Sequence, residues 1–177
     1  MLTLPKWYEV VKDVINDVID IFEKPRFFHL GWDEEMTLFA PGRDYFVMRA
    51  GEMWWHDFLF TVKCVEDRGV RAWVWSDKGW NDPSYYTRCP KSVIQSNWYY
   101  DEYLGGFDEK DYKSDQHLER LRQYRQLEEA GFDQIPCGTH WGGHERKVRK
   151  CGAEDVIGKL VKLCRETVSD RHRLGFM

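Results

Sequence analysis

Apolar residues recur at helical spacing near the start of the chain, and the first such run covers residues 7–22. Trp7, Val11, Val14, Val18 and Ile21 predict one apolar face of a helix, which Lys24 and Pro25 end. The period then changes. Residues 27–30 are a short run, Phe-Phe-His-Leu, followed by Gly31, Trp32 and three acids, Asp33, Glu34 and Glu35. That pattern predicts a buried strand whose C-terminal end opens into a carboxylate-bearing site. A second helix is expected over residues 45–67, closed by Arg68 and Gly69, with Trp54, Trp55 and Phe58 in the core. Residues 71–77 read as a strand ending in another acid, Asp77, and residues 92–100 as a third strand. Leu118, Leu121, Tyr124 and Leu127 stripe a polar helix over residues 115–130, which Gly131 caps. Residues 132–141 predict a fourth strand. A helix over 154–169 follows, with Val156, Leu160, Leu163 and Val168 inward, and residues 173–177 look like the opening of a fifth strand.

Alternating strands and helices, with polar and aromatic residues gathered where strands end, predict a parallel α/β fold. A doubly wound sheet would carry a glycine-rich phosphate loop after a strand, and neither GxGxxG nor a Walker pattern occurs. Chemistry at several strand ends suits a (β/α)8 TIM barrel, which needs roughly 250 residues. The 177 residues begin on a helix and end within an expected strand. The expectation is therefore a single domain, residues 1–177, forming a partial barrel of approximately strands four to eight, with outer helices around a parallel sheet. Such a sheet would have two open edges, and a homodimer is expected to cover them.

Composition narrows the function. Charged residues make up 32% of the chain and the net charge is −4, with no basic cluster interleaved with aromatics, so a nucleic-acid partner is not expected. Aromatic residues reach 16%, with nine Trp, which suggests either a heavy core or a stacking surface for flat apolar faces such as sugar rings. Cysteines at 64, 89, 137, 151 and 164 are odd in number and lack CxxC spacing, so reduced thiols are expected. Cys64 and Cys164 read as small buried hydrophobes. Residues 1–25 show neither a signal peptide nor a membrane span, so no membrane partner is expected; the compartment stays open.

The acids after residue 30 carry the candidate chemistry. Successive strand residues face opposite ways, so Asp33 and Glu34 can share a site only where the strand gives way to a loop. Gly31 permits that bend. The bland alternative is a solvated acidic turn before a helix. His29, Trp32 and the later acid-ended strand weigh against it. His29 is expected to act as a hydrogen-bonded strut beneath the acids.

His29-Leu30-Gly31-Trp32-Asp33-Glu34 resembles the H-x-G-x-D-E signature of glycoside hydrolase family 20, the β-N-acetylhexosaminidases. Trp75-Ser76-Asp77 resembles that family's Trp-acid strand end, and residues 95–98 resemble its next strand, which delivers a pocket tryptophan. The resemblance implies a retaining mechanism assisted by the substrate's own acetamide. Glu34 would be the general acid and then the base, and Asp33 would orient the 2-acetamido group. Aromatic walls such as Trp32 and Trp75 would desolvate Glu34. No second catalytic carboxylate is then needed about 5 Å across the ring. His29, Trp75, Asp77, Trp98, Tyr99, His140 and Trp141 would line the sugar pocket, with no cofactor and no metal. The family's tyrosine near the seventh-strand acid has no counterpart in Cys137-Gly138-Thr139-His140-Trp141. Its eighth-strand tryptophan and early-strand arginine are expected beyond the two ends of this sequence. These 177 residues alone are therefore expected to lack part of the sugar pocket, and activity of the isolated fragment does not follow from the resemblance.

Two other readings come from the residues themselves. Glu34 and Glu145 would serve as acid and nucleophile of a two-carboxylate retaining glycosidase, or the chain would bind carbohydrate without turnover. His140 and His144, with Glu145, suggest a metal site only weakly, because Gly142 and Gly143 break helical geometry and no third ligand is evident.

Overall fold

The computed structural model describes residues 4–34, 42, 48–100, 115–139 and 153–177. Among them the chain is mixed α/β: α1 Pro5–Ile21, β1 Phe27–His29, α2 Gly51–Glu66, β2 Arg71–Trp75, α3 Lys78–Asn81, α4 Tyr85–Arg88, β3 Ile94–Ser96, α5 Asp115–Glu129 and α6 Ala153–Thr167. The strands form a three-stranded sheet in the order β1-β2-β3. The chain divides into two compact units, Met1–Val74 and Trp75–Met177, and β2 runs across the boundary.

In the first unit, β1 and β2 pair in parallel, with Phe27 opposite Arg71 and His29 opposite Trp73, and the Leu30 N–H continues the ladder to the Trp73 carbonyl at 2.8 Å. β1 is half-buried on both faces rather than fully buried as expected, since it stands at the end of the strand order. β2 alternates, with Ala72 and Val74 buried and Trp73 and Trp75 together on the half-buried face. α2 starts at Gly51, later than the expected residue 45; Ala50 is extended at φ −140° and ψ 153°, and residues 48–50 are not helical. Its core rings are as expected: Trp54, Trp55 and Phe58 are buried.

The apolar face of α1 is not the expected one. Ile15 and Ile19 are buried, whereas Val14 and Ile21 are exposed. Polar anchors determine the rotation. Arg68 donates to Asn16 Oδ1 at 2.9 Å and pairs with Asp20, and the Tyr8 hydroxyl donates to Asp57 of α2 at 2.6 Å. These contacts turn the side bearing residues 8, 15 and 19 toward α2.

In the second unit, Leu118, Leu121, Tyr124 and Leu127 of α5 are buried, as are Leu160, Leu163 and Val168 of the α6 segment. Gly131 ends α5 at φ 77°, where any residue with a Cβ would be strained. The expected fourth and fifth strands shrink to isolated parallel bridges, Gln95–Gln134, Trp98–Cys137 and Gln134–Arg173. Pro136 explains part of this, since it has no N–H to give to a ladder. The loop after β2 holds two helical turns that periodicity did not predict. Asp82 Oδ1 accepts from the Ser84 N–H at 3.1 Å and its hydroxyl at 2.6 Å, a local turn that precedes α4.

Buried polar residues of this unit are tied to one another. Ser76 donates to Gln123 Oε1 at 3.0 Å, the Gln123 amide returns to the Ser76 carbonyl at 2.6 Å, and the Tyr85 hydroxyl donates to Gln95 Oε1 at 2.6 Å. Such pairing offsets the cost of burying amides. Burial pushes the Tyr85 and Tyr124 hydroxyls well above their ordinary range. None of the four described cysteines forms a disulfide. Among the described residues, no helix is long and apolar enough to cross a membrane.

Candidate active site

The strand end in the first unit is a left-handed turn. Gly31 has φ 78°, Trp32 has φ 71° and Glu34 has φ 56°. For a residue with a Cβ this conformation costs about 1 kcal/mol or more, so it persists only where its surroundings impose it. The Gly31 N–H donates to His29 Nδ1 at 3.1 Å. Neutral His29 therefore carries its proton on Nε2. Its ring meets Trp73 edge-on at 4.6 Å. Burial lowers the His29 pKa, and the Asp33 carboxylate partly opposes that shift. His29 is a strut under the turn, as expected.

Trp32 is held on several sides. Its Nε1 donates to Thr61 Oγ1 at 3.1 Å, and its ring packs edge-on against Trp54 at 5.2 Å and Phe58 at 5.5 Å. The Arg49 guanidinium lies 4.4 Å over the same ring and 5.4 Å over Trp7. Arg49 in turn pairs with Asp57 at 3.8 Å, and that carboxylate has 0% exposure. The Tyr8 hydroxyl completes the group, its pKa pushed up to about 12, first by its hydrogen bond to Asp57.

Beside this cluster is a hollow of about 360 Å³, walled by Trp7, Val10, Val14, Phe28 and Leu30, with Arg49, His29, Thr61 and Asp33 among its polar lining. Asp33 thus faces an aromatic and apolar concavity. Glu34 does not line it, and both carboxylates are exposed. The desolvating enclosure expected for Glu34 is not formed by the described residues of this unit.

The other expected pocket residues belong to the second unit. Trp98 stacks on Tyr100 at 5.0 Å and 28° and meets Trp80 at 4.7 Å, with the Arg120 guanidinium 4.4 Å from each indole. Trp80 Nε1 donates to Asn97 Oδ1 at 3.1 Å, and the Asn97 amide donates to the Arg120 carbonyl at 2.6 Å. Trp98 and Tyr100 are half-buried; Tyr99 is fully buried. The Tyr99 ring sits in a core cluster with Leu121, Tyr124, Leu160 and Val168, so its packing is that of a core residue. Asp77 is buried at the N-cap of α3, and Trp75 is half-buried. His140 and Trp141 lie outside the described residues, as do Glu35, His144, Glu145 and Cys151. Among the described residues, no group of three or more His, Cys, Asp or Glu is placed to hold a metal.

Arg49, Asp57, Tyr8 and Thr61 were not singled out from the sequence. Asp57 carried a readable signal: a carboxylate between Trp55 and Phe58 on a core-facing helix requires a cation or hydroxyl partner. Which residue supplies it depends on tertiary structure. In comparisons with known proteins, no protein-family model and no curated sequence matches the chain.

Proposed function

We propose that the chain is the acid-bearing part of a glycoside hydrolase barrel that removes terminal β-linked N-acetylhexosamine by substrate-assisted retaining catalysis. One observation carries the reading: the left-handed turn at Gly31 and Trp32 takes consecutive acids off the strand and sets Asp33 on an aromatic-walled hollow. The resemblance of residues 29–34 to the H-x-G-x-D-E signature supports it. In this mechanism the acetamide oxygen attacks the anomeric carbon as the glycosidic bond breaks, and Glu34 gives its proton to the leaving oxygen. Asp33 holds the acetamide and stabilises the cationic oxazoline. Water then attacks the anomeric carbon and opens that ring, giving its proton to the Glu34 carboxylate, which restores the acid. A neighbouring acetamide replaces the enzyme nucleophile, so adjacent carboxylates are sufficient. Half-buried rings at the second unit's strand end, Trp98 with Tyr100, are of the aromatic type that sugar binding uses.

The test is hydrolysis of 4-nitrophenyl N-acetyl-β-glucosaminide beside the plain β-glucoside, with a thiazoline mimic of the oxazoline as inhibitor. Hydrolysis confined to the acetamido substrate and blocked by the thiazoline supports the reading. Equal hydrolysis of both sugars, abolished by Glu145→Gln, supports the two-carboxylate alternative. Exposure of both Asp33 and Glu34 favours a second reading, a carbohydrate-binding surface without turnover. Saturable sugar binding with no product would establish it. A homodimer covering the β1 edge belongs to the first reading, and a monomer by light scattering at assay concentration would remove it.

A further inference from the structure

We infer that Arg49 is a positioning residue for the Asp33–Glu34 pair, acting through the face of the Trp32 indole; the inference rests on the hydrolase reading for its kinetic consequence. Trp32 occupies a left-handed backbone conformation directly before Asp33, at φ 71°. A residue there does not stay by its own preference; its side chain has to be held. Thr61, Trp54 and Phe58 of α2 take the N–H and edge-on contacts of the ring. Its π-face is taken by the Arg49 guanidinium at 4.4 Å. A planar cation over an indole is among the stronger side-chain contacts when shielded from water, and Arg49 exposes only 13% of its side chain.

The cation is itself fixed. Asp57, fully buried, pairs with it at 3.8 Å and accepts from Tyr8 at 2.6 Å. The chain of contacts therefore runs from α1 through Asp57 and Arg49 to the residue that aims Asp33, and Arg49 and Asp33 border the same hollow. Releasing the guanidinium lets Trp32 relax toward ordinary backbone, which moves the two acids relative to a bound sugar. Misplacement by about 1 Å costs on the order of 100-fold in rate.

The experiment compares Arg49→Met, Arg49→Lys, Trp32→Gly and the Arg49→Met/Trp32→Gly double variant in the full chain. Turnover of 4-nitrophenyl N-acetyl-β-glucosaminide is measured together with the amide proton and nitrogen resonances of Asp33 and Glu34. Arg49→Met is expected to lower kcat by about 10- to 100-fold, with a much smaller change in KM, and to shift both amide resonances. Arg49→Lys restores most of each. Once Trp32 is glycine, Arg49→Met has no further effect on either readout, whereas a purely structural role would make the two losses multiply. Should Arg49→Met fold poorly because it leaves the buried Asp57 carboxylate with only Tyr8 and the His56 imidazole at 3.3 Å as partners, Arg49→Met/Asp57→Asn removes both charges and carries the same expectation. Unchanged Asp33 and Glu34 resonances in a folded Arg49 variant, or full additivity with Trp32→Gly, would overturn the inference. If the unmodified chain hydrolyses nothing, turnover does not bear on the hydrolase reading, because pocket residues are expected beyond this sequence, and the resonances alone decide whether Arg49 positions the pair.

Discussion

The backbone N–H of Gly31 donates to His29 Nδ1 at 3.1 Å, so the imidazole closes the turn that begins the acid-bearing segment. The bond uses the Nδ1 lone pair, which only the unprotonated nitrogen has. Protonating His29 would break it and charge a group that burial disfavours.

His29 therefore makes stability depend on pH. The unfolded chain takes up this proton at about pH 6.5, while burial lowers the folded value. Between the two values the unfolded state binds more protons, so folding weakens as pH falls through that window. The urea midpoint is expected to drop from pH 7 to pH 5 more steeply in the native chain than in His29→Asn, whose amide oxygen still accepts from Gly31. Identical pH slopes in the two proteins would show that His29 is not the titrating strut.

The two acids should respond differently to the leaving group. If Glu34 donates the proton, Glu34→Gln hurts most where the departing oxygen needs it: about 100- to 10,000-fold for an alkyl or sugar leaving group, and far less for 4-nitrophenol. Asp33 acts on the acetamide, before and during bond cleavage. Asp33→Asn should therefore depress kcat/KM by similar factors for both leaving groups. A plot of rate against leaving-group acidity for each variant separates the roles, and parallel lines for Glu34→Gln would exclude it as the acid.

Gly79 is a packing necessity. A Cβ there would lie 2.6 Å from Gln123 Nε2 and 3.1 Å from the Tyr85 ring. Gln123 cannot simply swing away, because Ser76 holds both ends of its amide. Gly79→Ala is expected to cost about 1–3 kcal/mol by urea denaturation. In a Gln123→Ala background that cost should shrink by about 1 kcal/mol. An undiminished penalty would place the clash on Tyr85 instead.

The helices and the acid turn were legible in the sequence for different reasons. The stripe Leu118, Leu121, Tyr124 and Leu127 stood out because the rest of α5 is polar, so the period had one solution. Gly31 before two acids signalled a bend, and the positive φ values of Gly31, Trp32 and Glu34 are that bend. α1 was ambiguous because Val10, Val14, Val18 and Ile21 compete with Ile15 and Ile19, and its polar anchor, Arg68, lies 52 residues from Asn16. Tyr99 misled because an aromatic run at a strand end contains both half-exposed rings and core rings, and Leu121, Tyr124 and Leu160, which bury it, are remote in sequence. The cluster of Tyr8, Arg49, Asp57 and Trp32 is invisible to periodicity, since each contact joins separate segments.

The rotation of α1 gives a direct test of that ambiguity. Ile15 is 4% exposed and Val14 54% exposed, although the two are neighbours in an apolar run. With the Asn16 and Asp20 edge fixed by Arg68, Ile15→Ala should leave a cavity against α2 and cost about 2–5 kcal/mol. Val14→Ala removes atoms already in water and should change stability by less than about 0.5 kcal/mol. The periodicity alone predicts the opposite order, because it places Val14 inward. Arg68→Ala should loosen the helix's rotation and narrow the difference between the two alanine variants. Urea denaturation of the native chain, the three single variants and the two double variants that combine Arg68→Ala with each of the others decides it, and a larger loss at Val14 than at Ile15 would mean that α1 packs on the face read from the sequence.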